Sequence, residues 1–229
     1  MRSSGAMREI LIADDHPLYR DALRRAVGQA VPDARLYESD SVPALFVQVE
    51  AHPDAELLLL DLHMPGARGF SALAHLRGQH PGLPVIVVSA HEEVSVARRA
   101  LGHGAAGYIP KSSSAETIVD AIRHVLDGEV WLPPQFANST AELKSDEAHV
   151  AARIAELTPQ QFRVLAMIAE GLLNKQIAFE LGVSEATVKA HMTAIMRKLG
   201  CNNRTQVALA ASQLALDPNA SLPGIDSEE

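Results

Sequence analysis

Five short apolar runs alternate with five helix-length patterns in the first 130 residues, and that alternation restricts the fold more than any other feature. The runs are Ile10–Ala13, Leu57–Leu60 and Val85–Val88, with weaker ones near Leu36 and at Tyr108–Ile109. Between and after them, Leu18–Val27, Val42–Val49, Phe70–Leu76, Val94–Leu101 and Ile118–Leu126 carry apolar residues at helical spacing. The strongest runs are apolar throughout, the pattern of strands buried on both faces. Strands separated by helices need crossover connections, so they pair in parallel and the helices cover both sides. An α/β domain with a five-stranded, doubly wound parallel sheet is expected.

The pattern changes after Gly128. Trp131-Leu132-Pro133-Pro134 cannot continue a helix, and residues 135–156 are polar and Ala-rich. This stretch reads as a linker with a helix over Ala141–Ala155. Thr158-Pro159-Gln160-Gln161 then combines an N-cap, a proline at the first helical position and a capping-box glutamine. Gly171 ends that helix. Asn174 begins a second, which Gly182 ends, and Ser184 caps a third running to Leu199. A fourth covers Arg204–Leu214. The expected division is an N-terminal extension over 1–7, with Met1–Ala6 an addition ahead of a natural start at Met7, and an α/β domain over 8–130. A linker (131–155), an all-α four-helix domain (156–216) and an acidic, disordered tail (217–229) complete it.

Charge is divided the same way. The chain of 229 residues carries a net −8, which excludes a protein that coats nucleic acid indiscriminately. Residues 1–130 hold 12 basic and 17 acidic residues, whereas 157–216 hold six and three. One short basic block therefore sits inside an acidic chain, a hint of nucleic-acid binding. Aromatic residues make up 4% of the chain, too few for base-stacking platforms. The single Cys201 excludes a disulfide framework and a thiolate zinc finger. No apolar run approaches the roughly 20 residues of a membrane span, so a soluble, cytoplasmic protein without a membrane partner is expected.

In parallel α/β sheets, function collects at the carboxyl ends of the strands. Reading the residue after each run gives Asp14 and Asp15, Asp61, Ser89 and Lys111. Singly, each is a polar residue closing a strand. Together, three carboxylates on one edge repel unless a cation intervenes, and oxygen ligands with open positions suit Mg²⁺. A metal held by Asp15 and Asp61, with Asp14 nearby, would accept phosphate oxygens. Asp61 can serve as the nucleophile of phosphoryl transfer, Lys111 supplies a second positive charge, and Ser89 a hydroxyl for a phosphoryl oxygen.

Residues 8–128 resemble the receiver domain of two-component response regulators, through Asp14-Asp15, Asp61, Met64-Pro65-Gly66, Ser89, Tyr108 and Lys111. The resemblance implies that a sensor histidine kinase phosphorylates Asp61, and that the backbone carbonyl of His63 joins the three aspartates around Mg²⁺. It also implies switch roles for Ser89 and Tyr108: the phosphorylated Asp draws the hydroxyl inward and the aromatic ring follows. One departure is that the family often has a cis proline directly after the lysine. Here Pro110 precedes Lys111 and Ser112 follows it, so that cis bond is absent. His63 and His91 each lie two residues beyond a site residue. Their bland reading is as exposed loop residues; the sharper one is that their protonation tunes acyl-phosphate lifetime.

In the basic block, two short helices flank Gly182-Val183-Ser184, the arrangement of a helix-turn-helix whose second helix enters the major groove. Val188, Met192, Ile195 and Leu199 form its apolar stripe, opposite Lys189, Ala190, Thr193, Arg197 and Lys198. The longer string is Leu157-Thr158-Pro159, Gly171, Asn174-Lys175-Gln176-Ile177-Ala178, Thr187-Val188-Lys189, His191, Lys198-Leu199 and Asn203-Arg204-Thr205. It resembles the LuxR-type (NarL/FixJ) DNA-binding domain. Carried over by position, Lys189, Ala190 and Thr193 face bases, while Asn174, Lys175, Thr187, Lys198 and Arg204 lie near phosphates. Thr193 stands where relatives are often basic, and Leu173 where they are usually small and polar. Six basic residues imply weak monomeric binding, hence a homodimer, when phosphorylated or DNA-bound, over half-sites about one helical turn apart. In that family the last helix, with Val207, Ala210, Ala211 and Leu214, offers a face for pairing; otherwise it closes the core. Double-stranded promoter DNA is the expected ligand and RNA polymerase a further candidate partner.

Two rivals remain. An Asp-nucleophile phosphohydrolase usually needs a second Asp two residues after the nucleophile, where this chain has His63, so no enzyme is expected beyond the uptake and loss of the receiver's own phosphoryl group. A vestigial receiver acting only in dimerisation is opposed by the intact Asp14-Asp15, Asp61 and Lys111. Gly102-x-Gly104-x-x-Gly107 spells a dinucleotide fingerprint but follows a helix and precedes a strand, the reverse of the required context.

Overall fold

The computed structural model describes residues 7–136 and 145–216. The elements run β1 (Glu9–Ala13), α1 (Pro17–Ala30), β2 (Arg35–Ser39), α2 (Val42–Ala51), β3 (Leu57–Asp61), α3 (Ser71–Gln79), β4 (Val85–Ser89), α4 (Val94–Gly102), β5 (Gly107–Pro110) and α5 (Ala115–Leu126). A 3₁₀ turn at Pro134–Phe136 follows, then α6 (Ser145–Ala155), α7 (Pro159–Ala169), α8 (Asn174–Leu181), α9 (Glu185–Leu199) and α10 (Arg204–Ser212). By contact density the chain forms two units. One holds the described residues up to Pro65 and from His80 to Phe136. The other holds Gly66–Gln79 and the described residues from Ser145 onward.

The first unit contains one parallel sheet in the order β2-β1-β3-β4-β5. All five residues of β3 and of β4 are buried, as continuous apolar runs demand. Alternate positions Ile10, Ile12, Leu57, Leu59, Ile86, Val88 and Ile109 join Leu23 and Val27 of α1 and Ile118, Ile122 and Val125 of α5 in one core. The intervening Leu11, Leu58, Leu60 and Val87 are equally buried, with α2 against β1 and β2 and α4 against β5. Register delivers the site. Ala13 pairs with Leu60, Asp61 with Val88, and Ser89 with Pro110, so the next residues of adjacent strands emerge side by side.

The α/β expectation and the four-helix expectation both hold. The segment read as linker carries structure at its start: Trp131 pairs in parallel with Gly107 and continues the sheet edge. Arg98 Nη2 donates to the Phe136 carbonyl at 2.9 Å. The expected helix over Ala141–Ala155 is present as α6; residues 141–144 lie outside the described residues, as do the extension 1–6 and the tail 217–229. No described peptide bond is cis. In the second unit Thr158 and Gln161 form the anticipated capping box of α7. Gly182 ends α8 at φ 64°, a left-handed turn for which glycine carries no Cβ penalty. Among the described residues no helix is long and apolar enough to cross a membrane.

Candidate functional site

The carboxyl edge of the sheet gathers all five anticipated residues. Asp14 and Asp61 are buried at 0% and 2% exposure, Ser89 at 0%. Such burial needs compensating positive charge. Lys111 Nζ supplies it, 2.8 Å from Asp61 Oδ2 and 2.8 Å from Asp14 Oδ2. The first contact is an aligned hydrogen bond; the second is an ion pair only, since Asp14 Oδ2 has no aligned donor. Burial alone would lower the Lys111 pKa, but the closeness and charge of Asp14 and Asp61 outweigh it and hold the value above the usual lysine range. Asp61 Oδ1 accepts the His63 amide at 3.0 Å. Asp14 Oδ1 accepts the His16 amide at 2.7 Å, and Arg20 Nη1 donates to the Asp14 carbonyl at 2.7 Å.

Carboxylate oxygens of Asp14, Asp15 and Asp61 and a ring nitrogen of His16 all lie within 4.8 Å of one another. Asp14 Oδ2 and Asp15 Oδ1 are buried acceptors without an aligned donor. A set dominated by anionic oxygens fits a hard divalent cation, so the pocket could bind a metal. Above Asp61 opens a cavity of about 670 Å³ lined by His16, Leu18, Tyr19, His63, Ala90, His91 and Lys111. A cavity of about 480 Å³ at the amino ends of β3 and β4, lined by Glu56 and Pro84 among others, gathers no comparable ligand group among the described residues.

Ser89 and Tyr108, the expected switch residues, are linked through one loop. Ser89 Oγ accepts the His91 amide at 3.2 Å, and Tyr108, wholly buried, donates its hydroxyl to the His91 carbonyl at 2.7 Å. Burial, first of all, pushes the Tyr108 pKa up to about 12. The His63 and His91 rings stack with centroids 5.2 Å apart. Burial lowers the His63 pKa; Asp61 opposes this, while His91 and Lys111 add to it. Sequence reasoning missed His16, Tyr19 and Arg20. Tyr19 lies under Lys111, whose Nζ is 5.0 Å from the ring centroid, and its pKa is raised by burial first and then by Asp14 and Asp61. The signal available was position, because Tyr19 sits in the first turn of α1, which starts two residues after Asp15.

In the second unit, α9 buries Val188, Met192, Ile195 and Leu199. Its other side leaves Thr187, Lys189, Ala190, Thr193 and Arg197 exposed, and Lys175 of α8 is exposed too. Thr193 Oγ1 donates to the Lys189 carbonyl at 3.0 Å. Three of the residues expected near phosphates, Lys198, Arg204 and Asn174, make internal hydrogen bonds. Lys198 Nζ donates to the Glu156 carbonyl at 2.7 Å and to Gln161 Oε1 at 2.9 Å. Arg204 donates to Asn174 Oδ1 at 3.0 Å and to the Leu172 carbonyl, and burial lowers its pKa. The pairing face expected on α10 needs correction: Val207, Ala211 and Leu214 are buried within their own unit, as a helix packed along α7 requires. Ala210 is half-buried and Leu209 is the exposed apolar residue there. Phe179, 84% exposed on α8, was not anticipated.

Residues 10–123 match the family described as "Response regulator receiver domain", and residues 155–211 that described as "Bacterial regulatory proteins, luxR family". The chain is 39% identical over 213 residues to the glycerol metabolism activator of Pseudomonas putida, covering 91% of this chain and 96% of that one. It is 33% identical over 207 residues to the nitrate/nitrite response regulator protein NarL of Escherichia coli, covering 89% and 94%. A solved structure of RcsB from Salmonella enterica serovar Typhimurium, bound to promoter rprA with the phosphomimetic BeF₃⁻, shares the fold. It has a TM-score of 0.52 at 23% identity and covers 91% of this chain and all of that one.

Proposed function

Because this chain belongs to the NarL/FixJ response regulators, with a receiver domain followed by a LuxR-type helix-turn-helix, we propose that phosphorylation of Asp61 by a sensor histidine kinase controls its binding to promoter DNA. The observation that carries this reading is Asp61 itself, a buried carboxylate beneath an open cavity with Lys111 at 2.8 Å and two further aspartates beside it. Asp61 attacks the phosphorus of the kinase's phosphohistidine; the P–N bond breaks as the acyl phosphate forms. Asp14, Asp15, Asp61 and the His63 carbonyl would hold Mg²⁺, which neutralises charge on the phosphoryl oxygens. Lys111, already paired with Asp61, turns toward the phosphoryl group, and the Ser89 hydroxyl donates to one of its oxygens. Any movement of Ser89 is felt by Tyr108, because both bond the backbone of His91. His63 and His91 stand over the group and tune the attack of water; unchanged pH dependence of dephosphorylation in His63→Asn and His91→Ala would remove that role.

The boundaries near residues 130 and 156 separate the phosphoacceptor domain from the DNA reader. Promoter DNA meets Lys189, Ala190 and Thr193 at base edges and Asn174, Lys175, Thr187, Lys198 and Arg204 at phosphates. Binding is dimeric, and on α10 Ala210 is the member of the anticipated pairing set left partly exposed. RcsB, bound to promoter rprA with BeF₃⁻, supports this reading by analogy. The place of action is the cytoplasm, with RNA polymerase a further partner. The test is incubation with acetyl phosphate and Mg²⁺ followed by Phos-tag electrophoresis and DNA selection. A retarded band and enriched sites for wild type, both lost in Asp61→Asn, are expected. Equal DNA binding by both proteins would defeat the proposal.

A further inference from the structure

His16 is the N-cap of α1, a position that favours side chains able to accept an amide hydrogen bond. Its imidazole makes no such bond to the helix. Instead Nδ1 turns to the carboxylates, 2.8 Å from Asp15 Oδ1, 3.2 Å from Asp14 Oδ1 and 3.8 Å from Asp61 Oδ2. Neighbouring ligands of an octahedral ion with bonds of about 2.1 Å stand roughly 3.0 Å apart, and opposite ones about 4.2 Å. The 2.8 and 3.2 Å separations from Nδ1 match the neighbouring-ligand value, and the 3.8 Å separation to Asp61 lies between the two values. Without an ion, Nδ1 bonds Asp14 Oδ1 as an N–H donor; a metal ion at the same place would displace that hydrogen. Asp14 and Asp15 each retain a buried oxygen with no aligned donor. The competing cation is Lys111, whose Nζ lies 3.4 Å from His16 Nδ1.

From these positions we infer that His16 is a direct ligand of the divalent cation held by Asp14, Asp15 and Asp61, which makes the receiver pocket a mixed nitrogen–oxygen site. The inference rests on the cation site proposed above. Its chemical consequence is selectivity. Imidazole adds more to the binding of first-row transition ions such as Mn²⁺ and Co²⁺ than to that of Mg²⁺, and more to Co²⁺ than to Mn²⁺. The site therefore takes up these ions in preference to Mg²⁺ at equal concentration.

The test uses the full chain freed of metal by chelation and loaded with Mn²⁺, read by electron spin-echo modulation from directly bound nitrogen. Wild type is expected to show one imidazole nitrogen. His16→Ala and His16→Asn should lose it, while His63→Ala and His91→Ala, which line the same cavity, keep it. Asn restores a favourable N-cap, so its agreement with Ala separates ligation from helix stability. Co²⁺ affinity should fall at least about tenfold in both His16 variants, since even outer-shell changes reach that range, with a smaller change for Mg²⁺. Mn²⁺ bound to wild type without nitrogen modulation, or modulation persisting in His16→Ala, overturns the inference and leaves the cation site standing. Mn²⁺ binding that Asp15→Asn does not weaken overturns the cation site and the inference together.

Discussion

Replacing Lys111 by Met keeps most of the side chain's volume and removes the one ammonium group lodged between Asp14 and Asp61. Each contact at 2.8 Å corresponds to about 6 kcal/mol of attraction at an effective dielectric constant of about 20. Most of that offsets the loss of hydration on burying three charges. The relevant quantity is the cost of leaving two buried carboxylates without a counter-charge, about 3–5 kcal/mol when one partner of a buried pair is removed. The chain has a single tryptophan, and Trp131 pairs with Gly107 at the sheet edge, so its fluorescence reports unfolding of the first unit alone. With a urea slope of about 2 kcal/mol per molar, the midpoint in chelating buffer should fall by roughly 1.5–2.5 M. Added divalent cation should restore stability more in the variant than in wild type, because it replaces the missing charge. The Lys111 pKa is raised in the folded protein, so its contribution is complete below the unfolded value of 10.5 and disappears as pH climbs through the folded value. Wild type and variant should therefore converge in stability only in strongly alkaline buffer. A midpoint shift below about 0.5 M, equivalent to about 1 kcal/mol, would refute the claim that Lys111 compensates the buried aspartates.

Other consequences follow from single contacts. Tyr108→Phe removes the hydroxyl that donates to the His91 carbonyl and should cost about 1 kcal/mol by the same urea assay; no change would mean the loop after β4 is held elsewhere. Thr158→Ala removes the capping box of α7, and a loss of about 1 kcal/mol in helical melting followed at 222 nm is expected. Phe136→Ala empties a buried position, 4% exposed, beside Tyr108. It should cost about 3–5 kcal/mol, with protease cleavage after residue 129 accelerated. Lys175→Ala, an exposed residue of α8, should lower the slope of log affinity against log salt by about 1 for each DNA-bound protomer. An unchanged slope would remove Lys175 from the phosphate contacts.

The fold was legible because burial is one-dimensional for a strand between two helical layers: Leu57–Leu60 and Val85–Val88 had no polar face to offer solvent. The helix ends of the second unit were equally legible, since Thr158, Gln161, Gly182 and Ser184 act on backbone groups within a few residues of themselves. The candidate site was readable as a set at the ends of β1, β3, β4 and β5, because parallel register brings those ends together. Its electrostatic structure was not. That Lys111 pairs with both Asp14 and Asp61 and that Tyr19 lies beneath it depend on contacts between residues tens of positions apart. The same holds for Lys198 and Arg204, whose bonds to the Glu156 and Leu172 carbonyls charge alone did not reveal, and for Val207, Ala211 and Leu214, whose small or apolar side chains suit a partner and a core alike. Local sequence determined which segments became strands, helices and turns. Only the tertiary structure decided which polar side chain meets which, because hydrogen bonds and ion pairs act over about 3 Å while the chain positions that make them are set by packing elsewhere.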